Sequence, residues 1–469
     1  GCCCPMGFSA TNYVTRATGN DAYDGATPAT AKRTIQAAVK IANPGDTVLV
    51  APGIYDEGMT VTPGGWLSNR VVITKDILLE STHGARETII LGVHDSSSTN
   101  FAGCGSNAVR CVYANAGTLR GFTLAGGASG DVNKEDVNNR GGGLYSPNQN
   151  GLPILYDCII SNNAAIRGGG AYGGTFHRCL IAHNSAQRNG GGARETILHD
   201  SLIVYNSGGG VTHSYSNPLG RVSGVYNCTV ARNSGAGLDQ SSGYNTISVE
   251  NTTAFSADYA TVTFVNCCLS SATTRGTNNI VADNVRFVDS ANWDFRLMPN
   301  SPCLDIGDPA LNGKALPAEQ RTDYFGNPRV QGAGLDLGAI EGAAEHTAVV
   351  TCVAPTGSGT LSPMGHIALY TLPTQLVFNA TADAGHALRY FTVNGARMMD
   401  CGNTFTLDIT QPETYTVSAV FLPARYVDAE AGDDANDGMT PDAAWRTLQY
   451  AVDTVPVGYM VLAAPGVYD

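Results

Sequence analysis

Charge is scarce in this sequence: charged side chains make up 14% of the 469 residues and aromatic ones 8%, with only 3 tryptophans. So little charge argues against long solvated helices. Positive charge is the scarcer sign, 27 Lys and Arg against 40 Asp and Glu for a net charge of -13. No basic run occurs, which argues against nucleic acid as a partner, because duplex binding draws on clustered Lys and Arg to neutralise phosphates. An anionic membrane surface is disfavoured on the same ground. No apolar stretch approaches the roughly 18 residues that suggest a membrane-spanning helix. An initiator Met and a charged-then-apolar leader are also missing, since Gly1 opens the chain, so any export signal is expected outside this sequence. The 13 cysteines are odd in number and too sparse for a disulfide-stapled miniprotein. Cys2, Cys3 and Cys4 read either as a metal or lipid-attachment cluster or as a terminal tag; no zinc site is placed there.

Glycine, by contrast, is abundant at 56 residues, and the hydrophobic content of 43% is that of a folded, well-cored protein. Many short strands joined by tight turns fit this composition, so the expected class is all-β.

Internal repeats decide the architecture. Tyr13 to Asp56 aligns without gaps to Tyr426 to Asp469 at a constant offset of 413 residues, with about half the positions identical. Each copy reads as a Tyr-Val strand, an acidic turn, an amphipathic helix (Thr34 to Ala42 or Thr447 to Val455) and an apolar strand ending in Ala-Pro-Gly. The second copy stops where the next coil is due, so the chain is expected to be a passage of a longer repeat protein.

A finer repeat superposes four segments centred on Cys158, Cys179, Ser201 and Cys228, which are 21, 22 and 27 residues apart. Two residues after each centre stands Ile160, Ile181, Ile203 or Val230, and three before it Leu155, Phe176, Leu198 or Val225; these are the expected inward columns of a stacked core. Five residues after it stands Asn163, Asn184, Asn206 or Asn233. In register, these amides can bond to their counterparts about 4.8 Å above and below. The runs Gly141 to Gly143, Gly168 to Gly170, Gly190 to Gly192 and Gly208 to Gly210 are expected to supply positive-φ corners. Weaker coils read at Leu119 to Gly127, Val249 to Ser256 and Phe264 to Ser270. A propeller or sandwich would need hairpin turns every 8 to 12 residues or so and gives no reason for an asparagine column. The pattern predicts a parallel β-helix.

These residues resemble the right-handed parallel β-helix proteins of the pectate-lyase-like superfamily found in exported bacterial proteins. The motif G-x-D-x-x-D-G-x-T-P at Gly19 to Pro28 and Gly432 to Pro441, followed by R-T-[IL]-Q and A-P-G-x-Y, is similar to that group's N-terminal cap. DFRLMPNSPCLDIGD from Asp294, with Asp323, Arg329 and LDLGAIE from Leu335, resembles the closing region that follows such helices. His346 to Phe421 is similar to an internalin-type B-repeat, a small β spacer of surface proteins. The expected fold is an all-β, right-handed parallel β-helix solenoid with an N-terminal helical cap, a small β spacer and the start of a second β-helix. In residues this means a tail at 1-10, a β-helix at 11-292 with its cap at 11-58, a closing region at 293-345, the spacer at 346-422 and the second start at 423-469.

Four sets of residues are candidates for chemistry. Asp21 and Asp24, with Asp434 and Asp437, sit in Gly-flanked acidic turns, which fit either Ca²⁺ ligation or Asx turns capping the following helix. An EF-hand is excluded, since no Glu takes the twelfth loop position. The column Tyr156, His177, His199 and Tyr226 fits sugar stacking, a metal held between the two His, or plain surface stacking; Asn162, His183, Tyr205 and Arg232 form a similarly polar column. A lyase on this fold would need a base and a cation to offset a uronate carboxylate; Lys134, Asp136 and Arg140 are the weak catalytic candidates, against a solvated loop. A glycosidase would need paired carboxylates, and Asp157 and Asp200 share a column two coil heights apart, about 9.6 Å, with Arg178 between them.

The favoured expectation is an adhesive or structural module of a secreted or cell-surface repeat protein, with a polysaccharide or glycoconjugate surface as its partner, because an enzyme seldom needs its catalytic unit in tandem. A lyase or glycosidase acting on an acidic polysaccharide is the alternative. No cofactor other than Ca²⁺ is suggested.

Overall fold

The computed structural model describes residues 10–130, 137–147, 153–213, 224–256, 262–282, 284–308, 310, 322–330, 334–342, 348–369, 373–398, 402–411 and 413–468. The chain divides into two units, Gly1–Ala343 and Ala344–Asp469.

The first unit is a right-handed parallel β-helix. Successive coils lay one short strand on each of three sheets, and parallel strands joined by crossovers close in the right-handed sense. The first sheet runs from Thr11–Val14 to Gly276–Thr277, the second from Gly53–Tyr55 to Ile280–Val281, and the third from Ser68–Ile73 to Thr253–Ser256. Register is strict: Leu155, Phe176, Leu198 and Val225 stand opposite one another on the first sheet, and Ile160, Ile181, Ile203 and Val230 on the second. All eight are fully buried in one core, each contributing roughly 1.5–3 kcal/mol of burial.

The asparagine ladder forms as read, with Asn251 added. Asn163, Asn184, Asn206 and Asn233 each donate Nδ2–H to the Oδ1 of the next amide at 2.9, 3.0, 2.9 and 2.9 Å. The Cys/Ser column has a matching logic. Cys158, Cys179 and Cys228 donate Sγ–H to the carbonyls of Tyr156, His177 and Tyr226 at 3.2, 3.3 and 3.2 Å, and Ser201 and Thr246 donate hydroxyls to His199 and Tyr244.

The corners differ from the glycine expectation. The turn from the first to the second sheet is made by Asp157, Arg178, Asp200 and Asn227 at φ between 50 and 55°, and the next turn by Asn162, His183, Tyr205 and Arg232 at 55 or 56°. This left-handed geometry costs a non-glycine residue roughly 1–2 kcal/mol, offset by bonds between coils such as Asp157 N–H to His177 O at 3.1 Å. Of each glycine run only the leading member or two take positive φ. The last glycines are needed for close approach: a Cβ on Gly170 would lie 2.5 Å from the Gly192 carbonyl oxygen and 2.8 Å from Asn184 Nδ2.

The N-terminal end carries the helix Ile35–Ile41, capped by Thr34, whose Oγ1 accepts the Ala37 N–H. At the other end, residues beyond Val285 pack on the outer face of the second sheet. Phe287, Phe295, Leu297, Leu337 and Ile340 bury Leu202, Val204, Ala231, Ile247 and Val249. Second-sheet strands such as Leu202–Val204 are therefore apolar on both faces. Carboxylates pin this closing segment to itself: Asp323 accepts the N–H groups of Phe325, Asn327 and Glu341, Asp336 those of Asp305 and Gly342, and Glu341 that of Asp336.

The second unit holds a three-stranded and a larger mixed sheet around Val350, Phe378, Phe391, Ile409 and Phe421. Its longest strand, Thr414–Val427, pairs antiparallel with His386–Val393 and parallel with Met460–Ala463, so it crosses the expected module boundary at residue 422 without a break. The helix Leu448–Thr454 repeats the first cap, with Thr447 Oγ1 accepting the Tyr450 N–H.

Candidate functional site

A β-helix offers a ligand its outer faces, because the interior is filled with side chains. From Ala182 onward the second sheet's outer face is covered by the closing segment, which leaves its first strands and the first and third sheets.

The first sheet carries the aromatic column, extended by Tyr244. Inward Leu155, Phe176 and Leu198 force Tyr156, His177 and His199 outward by alternation. From Tyr156 to Tyr244 the five rings stack with centroids 4.9, 4.7, 4.9 and 4.8 Å apart and interplanar angles of 16° or less. Each inner ring has both faces taken by its neighbours, and Arg120 lies over Tyr156 at 5.3 Å. Ring edges are what this face presents. Burial pushes His177 down to about 3, with the nearby His199 and Arg178 adding to it, and burial pushes His199 down to about 4. Both imidazoles are therefore neutral at neutral pH.

The third sheet is different in kind. Inward Leu144, Ala171, Ala193 and Val211 leave Tyr145, Tyr172, Arg194 and Thr212 in register on the outside. Arg140 and Arg167 bridge neighbouring coils beside them. The Arg140 guanidinium lies over the Tyr172 ring at 4.9 Å, and buried Arg110 over Tyr145 at 5.0 Å. Arg110 also donates to the carbonyls of Val137, Arg140 and Gly141 at 3.0, 2.7 and 2.7 Å, fixing the base of the loop that bears the catalytic candidates. Arg194 donates to Asn189 Oδ1 and stands 3.7 Å from Glu195. Tyr145, Arg194 and Thr212 are buried, at 1%, 6% and 1% exposed, so the half-buried Arg140, Arg167 and Tyr172 are what this face presents.

The sequence candidates distribute as follows. Lys134 and Asp136 lie outside the described residues, and Arg140 bridges Arg167 beside the third sheet and lies over its Tyr172, away from the His177 and His199 column on the first. Asp157 and Asp200 do not form a catalytic pair. Arg178 holds Asp157 through two hydrogen bonds of 2.8 and 2.9 Å, and Asp200 is 2% exposed beneath the closing segment, 3.6 Å from Arg329. His183 and Tyr205 pack against Trp293, and Arg232 against Glu250 at 2.9 Å. Asp21 accepts the N–H groups of Arg33 and Thr34 and the Thr34 hydroxyl; Asp434 makes the same three bonds to Arg446 and Thr447. Asp24 and Asp437 accept the N–H groups of Ala26 and Met439 in Asx turns. This geometry is helix capping. Among the described residues no three His, Cys, Asp or Glu side chains converge on a common point. Arg167, Arg194, Tyr145 and Tyr172 were not singled out from sequence; the one available signal was Arg or Tyr flanking the glycine runs.

No family model matches the chain, and no curated protein matches it. Solved structures are similar to it, two of them as follows. "Crystal structure of pectate lyase Pel9A" is 14% identical over 71% of this chain and 97% of its own, with a TM-score of 0.39. "Pectin methylesterase PemA from Erwinia chrysanthemi" is 9% identical over 59% and 81%, with a TM-score of 0.28. By fold, on the strength of its own three parallel sheets, the first unit is a parallel β-helix.

Proposed function

We propose that this chain belongs to a secreted or cell-surface β-helix repeat protein and binds an acidic polysaccharide on the outer face of the third sheet without cleaving it. The observation that carries this reading is the pair Arg140 and Arg167, which bridge neighbouring coils beside the half-buried Tyr172 in a chain of net charge -13. Guanidinium groups grip carboxylate or sulfate in bidentate fashion, and the exposed part of Tyr172 offers a sugar ring an aromatic contact. The repeated cap, hydrogen-bonded alike in both copies, supports a repeat protein. The alternative is a polysaccharide lyase or esterase, the activities for which the two similar structures are named. A lyase needs a base free to take a proton, and the conspicuous carboxylates here are tied to Arg178, Arg329 or backbone N–H groups.

Incubating the purified chain with pectate and alginate, with and without Ca²⁺, separates these readings. The expected result is retention on an anionic glycan array with neither absorbance growth at the wavelength of unsaturated uronates nor new reducing ends. Product release would establish the enzyme reading, and failure to bind any acidic glycan would sink the binding one.

A further inference from the structure

The interior thiols of the coils are accounted for: Cys158, Cys179, Cys228 and Cys267 each donate to the carbonyl two residues earlier, at 3.2 to 3.5 Å. Two cysteines stand apart. Cys267 faces the coil interior, so alternation turns Cys268 outward on the second sheet, into the apolar layer beneath the closing segment. Cys303 enters that layer from the closing segment itself, held by its backbone N–H to Ser301 Oγ at 3.2 Å and by the Leu337 N–H to its carbonyl at 2.9 Å. Both are 0% exposed, and their side chains touch.

We propose that Cys268 and Cys303 form a disulfide that staples the closing segment onto the last coils. The inference is independent of the glycan reading and needs only an oxidising compartment. One thiolate attacks a disulfide oxidant, such as a thiol oxidoreductase or oxidised glutathione, giving a mixed disulfide. The second thiol then displaces the oxidant's sulfur. Two S–H bonds are lost and one S–S bond forms, and the oxidant leaves as a dithiol, or as two glutathione thiols, carrying two electrons and two protons. Contact with the Cys268 thiol, together with burial, raises the Cys303 thiol pKa in the folded protein, so oxidation precedes docking of the segment. Cys158 and Cys179 also touch, but their thiols are engaged by strand carbonyls and they stand on neighbouring in-register strands.

The test refolds the full chain in a glutathione redox buffer, alkylates remaining thiols under denaturing conditions and maps peptides by mass spectrometry without reduction. The expected result is a peptide joining Cys268 to Cys303, with the other described cysteines alkylated. Dithiothreitol should lower the melting temperature of this material by several degrees, and Cys303→Ser should remove that sensitivity. Alkylation of both Cys268 and Cys303 after oxidative refolding, or a cross-link at Cys158 and Cys179 instead, would overturn the proposal. If Cys303→Ser does not fold, the map of the unaltered chain decides alone.

Discussion

Asn206→Ala should destabilise the first unit by about 3–6 kcal/mol, the largest loss expected from a single side chain of this size. Asn206 is the middle rung of the ladder. Its Nδ2 donates to the Ile181 carbonyl and to Asn233 Oδ1, both at 2.9 Å, while its Oδ1 accepts from the backbone N–H and the Nδ2 of Asn184, both at 3.0 Å. Alanine leaves these partners buried with no water to replace the amide, at about 1–3 kcal/mol for each donor or acceptor stranded. The cost is not confined to one coil, because each asparagine orients the next. Guanidinium unfolding followed by circular dichroism gives the measurement, with exposed Ser207→Ala as the control expected to change little. A loss under about 1 kcal/mol would mean that the ladder is decoration on a core that holds without it.

The second large effect lies at the closing segment. Arg329 is the buried cation beside Asp200 and Glu341, at 3.6 and 3.5 Å, distances too long for good hydrogen bonds. Burial therefore outweighs the ion pairs and pushes Asp200 up to about 7 and Glu341 up to about 8, with Arg329 acting in the opposite direction. Both folded values stand above the ordinary carboxylate values near 4 of an unfolded chain. A raised value means that the folded state holds the proton more tightly. The stabilising contribution is thus fully present below about pH 4 and is lost as pH rises through about 7 to 8. The melting temperature should fall between pH 6 and pH 9, more steeply than surface carboxylates would give. Arg329→Met should steepen it further and cost about 3–5 kcal/mol at pH 8, because it leaves two buried carboxylates without their cation. A flat profile across this range in both proteins would refute the assignment.

Much of the fold was legible because the inward residues follow local rules. Alternation placed Leu155, Ile160 and their counterparts, a fixed spacing placed the asparagines, and Thr34 and Thr447 announced their helices. The same spacing explains why the column from Tyr156 to Tyr226 was visible while its chemistry was not: stacking occupies the ring faces that a sugar would have used. The corners escaped notice because Arg178, His183 and Tyr205 are not residues that local propensity assigns to a left-handed backbone. Only the stacked coils impose that conformation. The environment of Asp200 was hidden for a related reason, since it is set by Arg329, which no local pattern connects to it. Arg140 and Arg167 each lead an Arg-Gly-Gly-Gly run, but that run reads first as a corner, and only the stacked coils set the two guanidinium groups beside Tyr172.

The account turns on the third-sheet face, and the most direct measurement is affinity electrophoresis in gels containing polygalacturonate or alginate, run with the unaltered chain, with Arg140→Gln/Arg167→Gln and with Tyr244→Ala on the first sheet. Retardation should be strong for the unaltered chain and for Tyr244→Ala, weaken with added salt, and fall at least tenfold in apparent affinity for the double variant. Equal retardation of all three proteins, or loss confined to Tyr244→Ala, would contradict it and move the binding surface to another face.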